Sequence, residues 1–196
     1  EKEILEFIEN HNYQYVIKKN TICGGKGVKI SGVHFPTIQE GLDYCQELYK
    51  NEGCFMIEEK LNGEEFSLHT ITDGITFLHT PIVKDYKRAY ENDIGPNTGS
   101  MGSLTFMDHS LPYLNDNDVS QAESINEAAI NAIQEYYHES IETENKSNYQ
   151  GVLYGSFIKT SDPENPIKII EFNARFGDPE IINLLATFKG DFYELV

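Results

Sequence analysis

Residues 167–180 read IKIIEFNARFGDPE. The β-branched run at the start predicts a strand, and strand alternation sets Glu171, Asn173 and Arg175 on one side with Ile170, Phe172 and Ala174 on the other. A carboxylate and an amide oxygen at this spacing can share one hard cation, and magnesium accepts such oxygens while keeping waters and nucleotide phosphates as its remaining ligands. Arg175 can then stabilise charge developing on a transferring phosphoryl group. Taken alone, the pattern also suits a solvated polar strand face. The Phe-Gly-Asp-Pro-Glu that follows weakens that simpler account.

Residues 152–159 predict the preceding strand, and a polar linker over 139–150 separates it from a helix that starts after 115–118. That helix carries Ala122, Ile125, Ala129, Ile133 and Tyr136. Residues 54–58, 65–73 and 76–83 predict three more strands, the last two joined by the Asp73-Gly74 turn, which together predict an antiparallel sheet. Between them and the long helix, residues 84–102 hold charges, glycines and a proline without any period, which predicts a long loop of the kind that carries function. Nearer the start, Ile4, Leu5 and Ile8 suit a short amphipathic helix, and residues 13–18 and 28–31 predict a β-hairpin around a glycine-rich loop at 21–27. Thr37 and Glu40 form a capping box for a helix through Lys50, with Ile38, Leu42, Cys45 and Tyr49 on one face. The expected fold is therefore α+β, with a smaller lobe over 1–56, a larger one over 57–196, and no internal repeat.

Composition narrows the function. The chain has 196 residues with 15 Lys and Arg against 32 Asp and Glu, a formal charge of −17, and its 39% hydrophobic and 12% aromatic content is enough for a packed core. A pI near 4.6 disfavours docking onto nucleic acid or an anionic membrane, so an anionic substrate must rely on local cations. No apolar run approaches the ~20 residues that span a bilayer, and the reading is a soluble, cytoplasmic protein. Cys23, Cys45 and Cys54 lack CxxC spacing and suit reduced thiols, and the six histidines are scattered without metal-ligand spacing.

Three further stretches carry chemistry. In Cys23-Gly24-Gly25-Lys26-Gly27, small residues let backbone N–H groups approach phosphate oxygens while a lysine adds charge. The loop fits neither a Walker A pattern, since Gly27 follows the lysine, nor a dinucleotide fingerprint, since Ile30 stands where glycine is needed. Joining strand to strand, it would grip phosphate as a flap; on its own the motif is better explained as a tight surface turn. Residues 57–67, IEEKLNGEEFS, could offer backbone groups to an adenine edge and a later carboxylate to ribose hydroxyls, or be an ordinary acidic surface. Residues 85–102, DYKRAYENDIGPNTGSMG, set Lys87 and Arg88 beside Asp93, Asn97 and Thr98, the mixed donors and acceptors that a polar sugar-phosphate or amino-acid substrate requires.

In this order and spacing, the four stretches resemble the ATP-grasp module of the phosphoribosylamine-glycine ligase family, from about Tyr15 to the end of the chain. KRAYENDIGPNTGSMG and IIEFNARFGDPE are the most specific parts of the likeness. The resemblance implies two α+β lobes with antiparallel sheets enclosing ATP. It implies that Lys18 and Lys26 hold ATP phosphates, with Gly24, Gly25 and Gly27 in the flap; that Glu58, Glu59 and Leu61 contact adenine and Glu65 the ribose; and that Glu171 and Asn173 hold Mg2+ or Mn2+. Arg175, Asp178 and Pro179, with Asp85, Lys87, Arg88, Asp93, Asn97 and Thr98, would lie beside glycine and phosphoribosylamine, Arg175 and Lys26 acting in catalysis. The implied reaction forms glycinamide ribonucleotide, ADP and phosphate through glycyl phosphate, in purine synthesis. The family's flanking amino- and carboxy-terminal domains would be further parts of the same polypeptide. The chain departs from the family's usual KADGLAAGKG at residues 18–27, from a usual glycine at Ser100, and from its proline pattern over 103–118. An ATP-grasp ligase of other specificity, or a nucleotide-binding module with reduced turnover, are the alternative readings.

Overall fold

Ile4, Leu5 and Ile8 recur at helical spacing, and the first helix, α1 (Lys2–Asn10), turns Ile8 fully into the core. Strand β1 (Tyr15–Lys19) follows and pairs antiparallel with β2 (Val28–Ile30), as the hairpin reading expected. Thr37 caps α2 (Ile38–Glu52) with the expected box: its Oγ1 accepts from the Glu40 N–H at 3.3 Å, and Glu40 Oε2 accepts from the Thr37 N–H at 3.0 Å. Gly53, at φ +77°, ends the helix in the left-handed conformation that favours glycine. Strand β3 (Phe55–Glu59) then pairs with β1, giving the order β2-β1-β3. Ile8, Tyr15, Ile17, Phe35, Leu42, Tyr44, Cys45 and Leu48 form one core. The helical face differs from expectation: Leu42 and Cys45 are buried, but Ile38 and Tyr49 are exposed, because the stripe facing the core runs through Gly41, Leu42, Tyr44, Cys45 and Leu48. Gly41 is required there, since a Cβ would lie 2.1 Å from the Tyr15 hydroxyl.

The computed structural model describes residues 2–21, 27–140 and 148–195, without the side chains of Asp93 and Ser140. Gly24, Gly25 and Lys26, and most of the linker expected over 139–150, lie outside the described residues. The chain divides into two compact units, Glu1–Leu61 and Asn62–Val196. A boundary after Met56 would cut β3, which pairs with β1 along its whole length, so the division falls after Leu61.

The second unit begins with β4 (Glu64–Thr72) and β5 (Phe77–His79), an antiparallel pair turned at Asp73-Gly74. Asp73 Oδ1 accepts from the Ile75 and Thr76 N–H groups at 2.9 and 2.7 Å, which closes the turn. The stretch read as an aperiodic loop contains short strands: β6 (Lys84–Asp85), β7 (Arg88–Tyr90), β8 (Ile94–Asn97) and β9 (Ser103–Leu104), pairing β6 with β9 and β7 with β8. Helix α3 (Asp116–Ser140) starts on a reciprocal cap in which the Asn115 and Asp118 side chains each accept the other's N–H. Lys159 pairs with the buried Asp118 carboxylate. Strands β10 (Gly151–Lys159) and β11 (Ile167–Asn173) complete the antiparallel sheet β11-β10-β4-β5, and α4 (Glu180–Thr187) and α5 (Phe192–Leu195) close the chain. Among the described residues no helix is long and apolar enough to cross a membrane.

The two faces of this sheet have separate tasks. Phe66, Leu68 and Phe157 pack with Ala122 of α3, and Asn126 of α3 donates to the Leu68 carbonyl and to Thr70 Oγ1. Helix and sheet approach closely at Gly155, where a Cβ would lie 2.4 Å from Asn126 Oδ1. The alternate residues Glu65, Ser67 and His69 of β4, Tyr154 and Ser156 of β10, and Glu171 and Asn173 of β11 are therefore left to the other face.

Candidate active site

On that second face the register sets Ser67 opposite Ser156 and Ser156 opposite Glu171, and likewise His69 opposite Tyr154 and Tyr154 opposite Asn173. A β-bulge in the β10–β11 pairing after Ser156 comes immediately before Glu171. The Asn173 amide donates to Glu171 Oε1 at 3.3 Å, so the two side chains share one side of the strand, as the alternation predicted. Their oxygens are the hard donors a divalent cation takes. Among the described residues no cluster of three or more His, Cys, Asp or Glu could hold a metal. A cation on this pair would keep outside oxygens as further ligands.

A small cleft beside them is lined by Glu65, Phe66, Ser67, Asp85, Lys87, Tyr154 and Ser156. Lys87 Nζ donates to Glu65 Oε2 at 3.1 Å. Burial depresses the Lys87 ammonium pKa, but the surrounding carboxylates of Glu65, Asp85 and Glu171 outweigh burial and hold it above the ordinary lysine value. Lys87 is thus a fixed cation among three acids. Thr98 fastens the backbone here, its N–H and hydroxyl both donating to the Lys87 carbonyl at 2.7 and 2.9 Å. Ser100 Oγ donates to Asp85 Oδ1, from a backbone at φ +153° that favours glycine. Arg88 and Asn97 face each other across the β7–β8 ribbon, the Arg88 guanidinium bonds the Gly95 carbonyl, and neither lines the cleft. Asp93 ends a 3-10 turn, Glu91–Asp93, on the same ribbon.

Arg175, Asp178 and Pro179 lie on the loop between β11 and α4. Arg175 is exposed and bonds the Phe176 carbonyl, and Asp178 is also exposed. The loop is anchored beneath: the Gly177 N–H donates to His69 Nε2 at 2.8 Å, and the Tyr154 hydroxyl donates to Glu180 Oε1 at 2.9 Å. A Cβ at Gly177 would lie 2.5 Å from Glu180 Oε2 and 2.7 Å from the Tyr154 ring, so only glycine fits. Burial, and then the Glu180 carboxylate, push the Tyr154 phenol pKa up, keeping it a donor.

His69 is 0% exposed, and burial, with the Arg175 guanidinium second, lowers its pKa to about 4. Because Nε2 accepts from Gly177, the proton of the neutral ring sits on Nδ1, which has no partner among the described residues. An unpaired buried donor costs about 1–3 kcal/mol. Below pH ~6.5 an unfolded chain protonates this histidine while the fold resists until about 4. The unfolded state holds the extra proton across that window, so stability falls as pH drops through it, by about 3 kcal/mol in all. His69→Gln should therefore lose less stability than the natural protein between pH 6.5 and pH 4 in urea unfolding; equal losses would contradict the buried neutral ring.

In the first unit, Lys18 Nζ lies 2.6 Å from Glu58 Oε2, bringing together two residues of the ATP expectation. They meet diagonally across β1 and β3, where Lys18 pairs with Met56 and Glu58 with Val16. Glu59 faces Tyr15 in register and is exposed, Leu61 is half-buried, and the Gly27 carbonyl accepts from the Lys19 N–H at 3.0 Å.

The α+β fold with its antiparallel sheets is an ATP-grasp fold, as comparison with known proteins shows. A family model described as phosphoribosylglycinamide synthetase, ATP-grasp (A) domain, matches residues 1–181. Phosphoribosylamine-glycine ligase of Methanosarcina acetivorans is 42% identical over 180 residues, covering 92% of this chain and 38% of that protein. The ligase of Methanocaldococcus jannaschii is 43% identical over 183 residues, with 92% and 38% covered. The solved phosphoribosylamine-glycine ligase of Thermotoga maritima matches with TM-score 0.65 at 30% identity, over 91% of this chain and 42% of that one. N5-carboxyaminoimidazole ribonucleotide synthetase of Thermus thermophilus, at 16% identity and TM-score 0.58 over 89% and 38%, shares the fold. The chain belongs to the phosphoribosylglycinamide synthetase family, within its ATP-grasp domain. It spans about two fifths of the length of the curated relatives it matches.

Proposed function

We propose that the protein joins glycine to 5-phosphoribosylamine, converting ATP to ADP and phosphate and giving glycinamide ribonucleotide for purine synthesis in the cytoplasm. The observation that carries this reading is the 42% identity to a phosphoribosylamine-glycine ligase over 92% of the chain. The shared face of Glu171 and Asn173 supports the chemistry.

Glycine carboxylate is a poor electrophile. One of its oxygens attacks the γ-phosphorus, ADP leaves, and the resulting glycyl phosphate is attacked by the ribosyl amine; a proton is lost from that nitrogen as phosphate departs. Lys18 and Lys26 serve the ATP phosphates, Gly24, Gly25 and Gly27 form the flap, Glu58, Glu59 and Leu61 serve adenine, and Glu65 serves ribose. Glu171 and Asn173 would hold Mg2+ or Mn2+, which supplies positive charge to the phosphate oxygens. Arg175 and Lys26 stabilise the charge of the transferring group, and Asp85, Lys87, Arg88, Asp93, Asn97, Thr98, Asp178 and Pro179 face glycine and the amine. Exclusion of water by the flap protects the acyl phosphate from hydrolysis. The rest of the longer polypeptide completes the phosphoribosylamine site.

In the full-length protein, ADP release should require glycine and phosphoribosylamine together. Release supported equally by another acid and amine would mean altered specificity, and ATP binding without release under any substrate pair would mean a binding module; either outcome overturns the proposal.

A further inference from the structure

We propose that His69 is a positioning residue that holds the loop of Arg175 and Asp178 in its working geometry by accepting the Gly177 N–H. Three observations converge on it. The imidazole is wholly buried on the face that carries Glu65 and Ser67, where an apolar side chain would avoid burying an unpaired Nδ1–H. Its single hydrogen bond to a described residue goes to a backbone amide two residues from Arg175 and next to Asp178. Its ring is wedged by aromatic contacts, edge-on to Tyr154 at 4.8 Å and tilted against Phe176 at 5.9 Å, so the acceptor is held in one orientation. Tyr154 in turn bonds Glu180, the first residue of α4, and the loop is fixed at both ends of the 177–180 turn.

Histidine Nε2 and a glutamine side-chain oxygen stand at comparable reach from the backbone, whereas leucine offers no acceptor and asparagine stops short. In the full-length protein, His69→Leu should speed deuterium exchange at the Gly177 amide by at least about tenfold, and His69→Gln should stay within about threefold of the natural rate. The kinetic arm rests on the ligase reading. His69→Leu should lower kcat by about tenfold or more, with KM for ATP changing by less than about threefold, and His69→Gln should restore kcat. A role in folding alone would not produce that split or the rescue. Unchanged Gly177 exchange in His69→Leu, or lost protection with full kcat, overturns the inference. Should His69→Leu not fold, His69→Asn takes its place and is expected to lose Gly177 protection; retained protection there overturns the inference as well. If the natural protein shows no glycine-dependent ADP release, the ligase reading fails and the Gly177 exchange alone decides the role of His69.

Discussion

Glu171→Gln should abolish the thermal stabilisation by magnesium and ATP that the proposed function expects of the full-length protein, and lower turnover by at least about 100-fold, or roughly 3 kcal/mol of barrier. The substitution keeps the shape of the side chain and the hydrogen bond with the Asn173 amide within reach, but removes the charge that a divalent cation needs. Glu171 is exposed, so stability without ligand should change little, which separates loss of cation binding from loss of fold. It is also one of the three carboxylates around Lys87, and its neutralisation should let the Lys87 pKa fall. Melting curves with and without magnesium and ATP read the effect. Undiminished stabilisation in the variant would remove Glu171 from the site.

Phe157→Ala should destabilise the second unit by about 3–5 kcal/mol. Phe157 is 0% exposed, stacks on Phe66 with ring centroids 5.4 Å apart, and belongs to the core that joins β4, β10 and α3. Its neighbour Ser156 points the other way, between Ser67 and Glu171, so the packing that Phe157 supports also sets the spacing of the candidate site. Urea unfolding measures the loss directly. A change below about 1 kcal/mol would mean that helix and sheet do not share a tightly packed core.

What the sequence made legible was local. The Glu171–Asn173 face follows from alternation within one strand, the Thr37–Glu40 box from residues three apart, and the Asp73-Gly74 turn from two adjacent residues. His69, Tyr154 and Ser156 were missed because their roles arise where β4, β10 and β11 pair, bringing Gly177 onto a side chain 108 residues earlier. A partial signal existed: Ser67 and His69 share the parity of Glu65 on a strand that was itself expected. The strands over 84–104 escaped because two to four residues are too few to show a period. The stripe of α2 shifted toward Leu48 because contact with the sheet, not helical spacing alone, selects the buried face. The family itself was legible in the motifs of residues 87–102 and 169–180, and the matched relatives bear it out.

The claim that glycine is activated as its phosphate is tested most directly by following a carboxylate oxygen. With glycine labelled by oxygen-18 in its carboxylate, the account predicts one labelled atom in each phosphate released by the full-length protein, because the oxygen that attacks the γ-phosphorus departs with it when the amine adds. Unlabelled phosphate, formed at a rate matching glycinamide ribonucleotide, would contradict it.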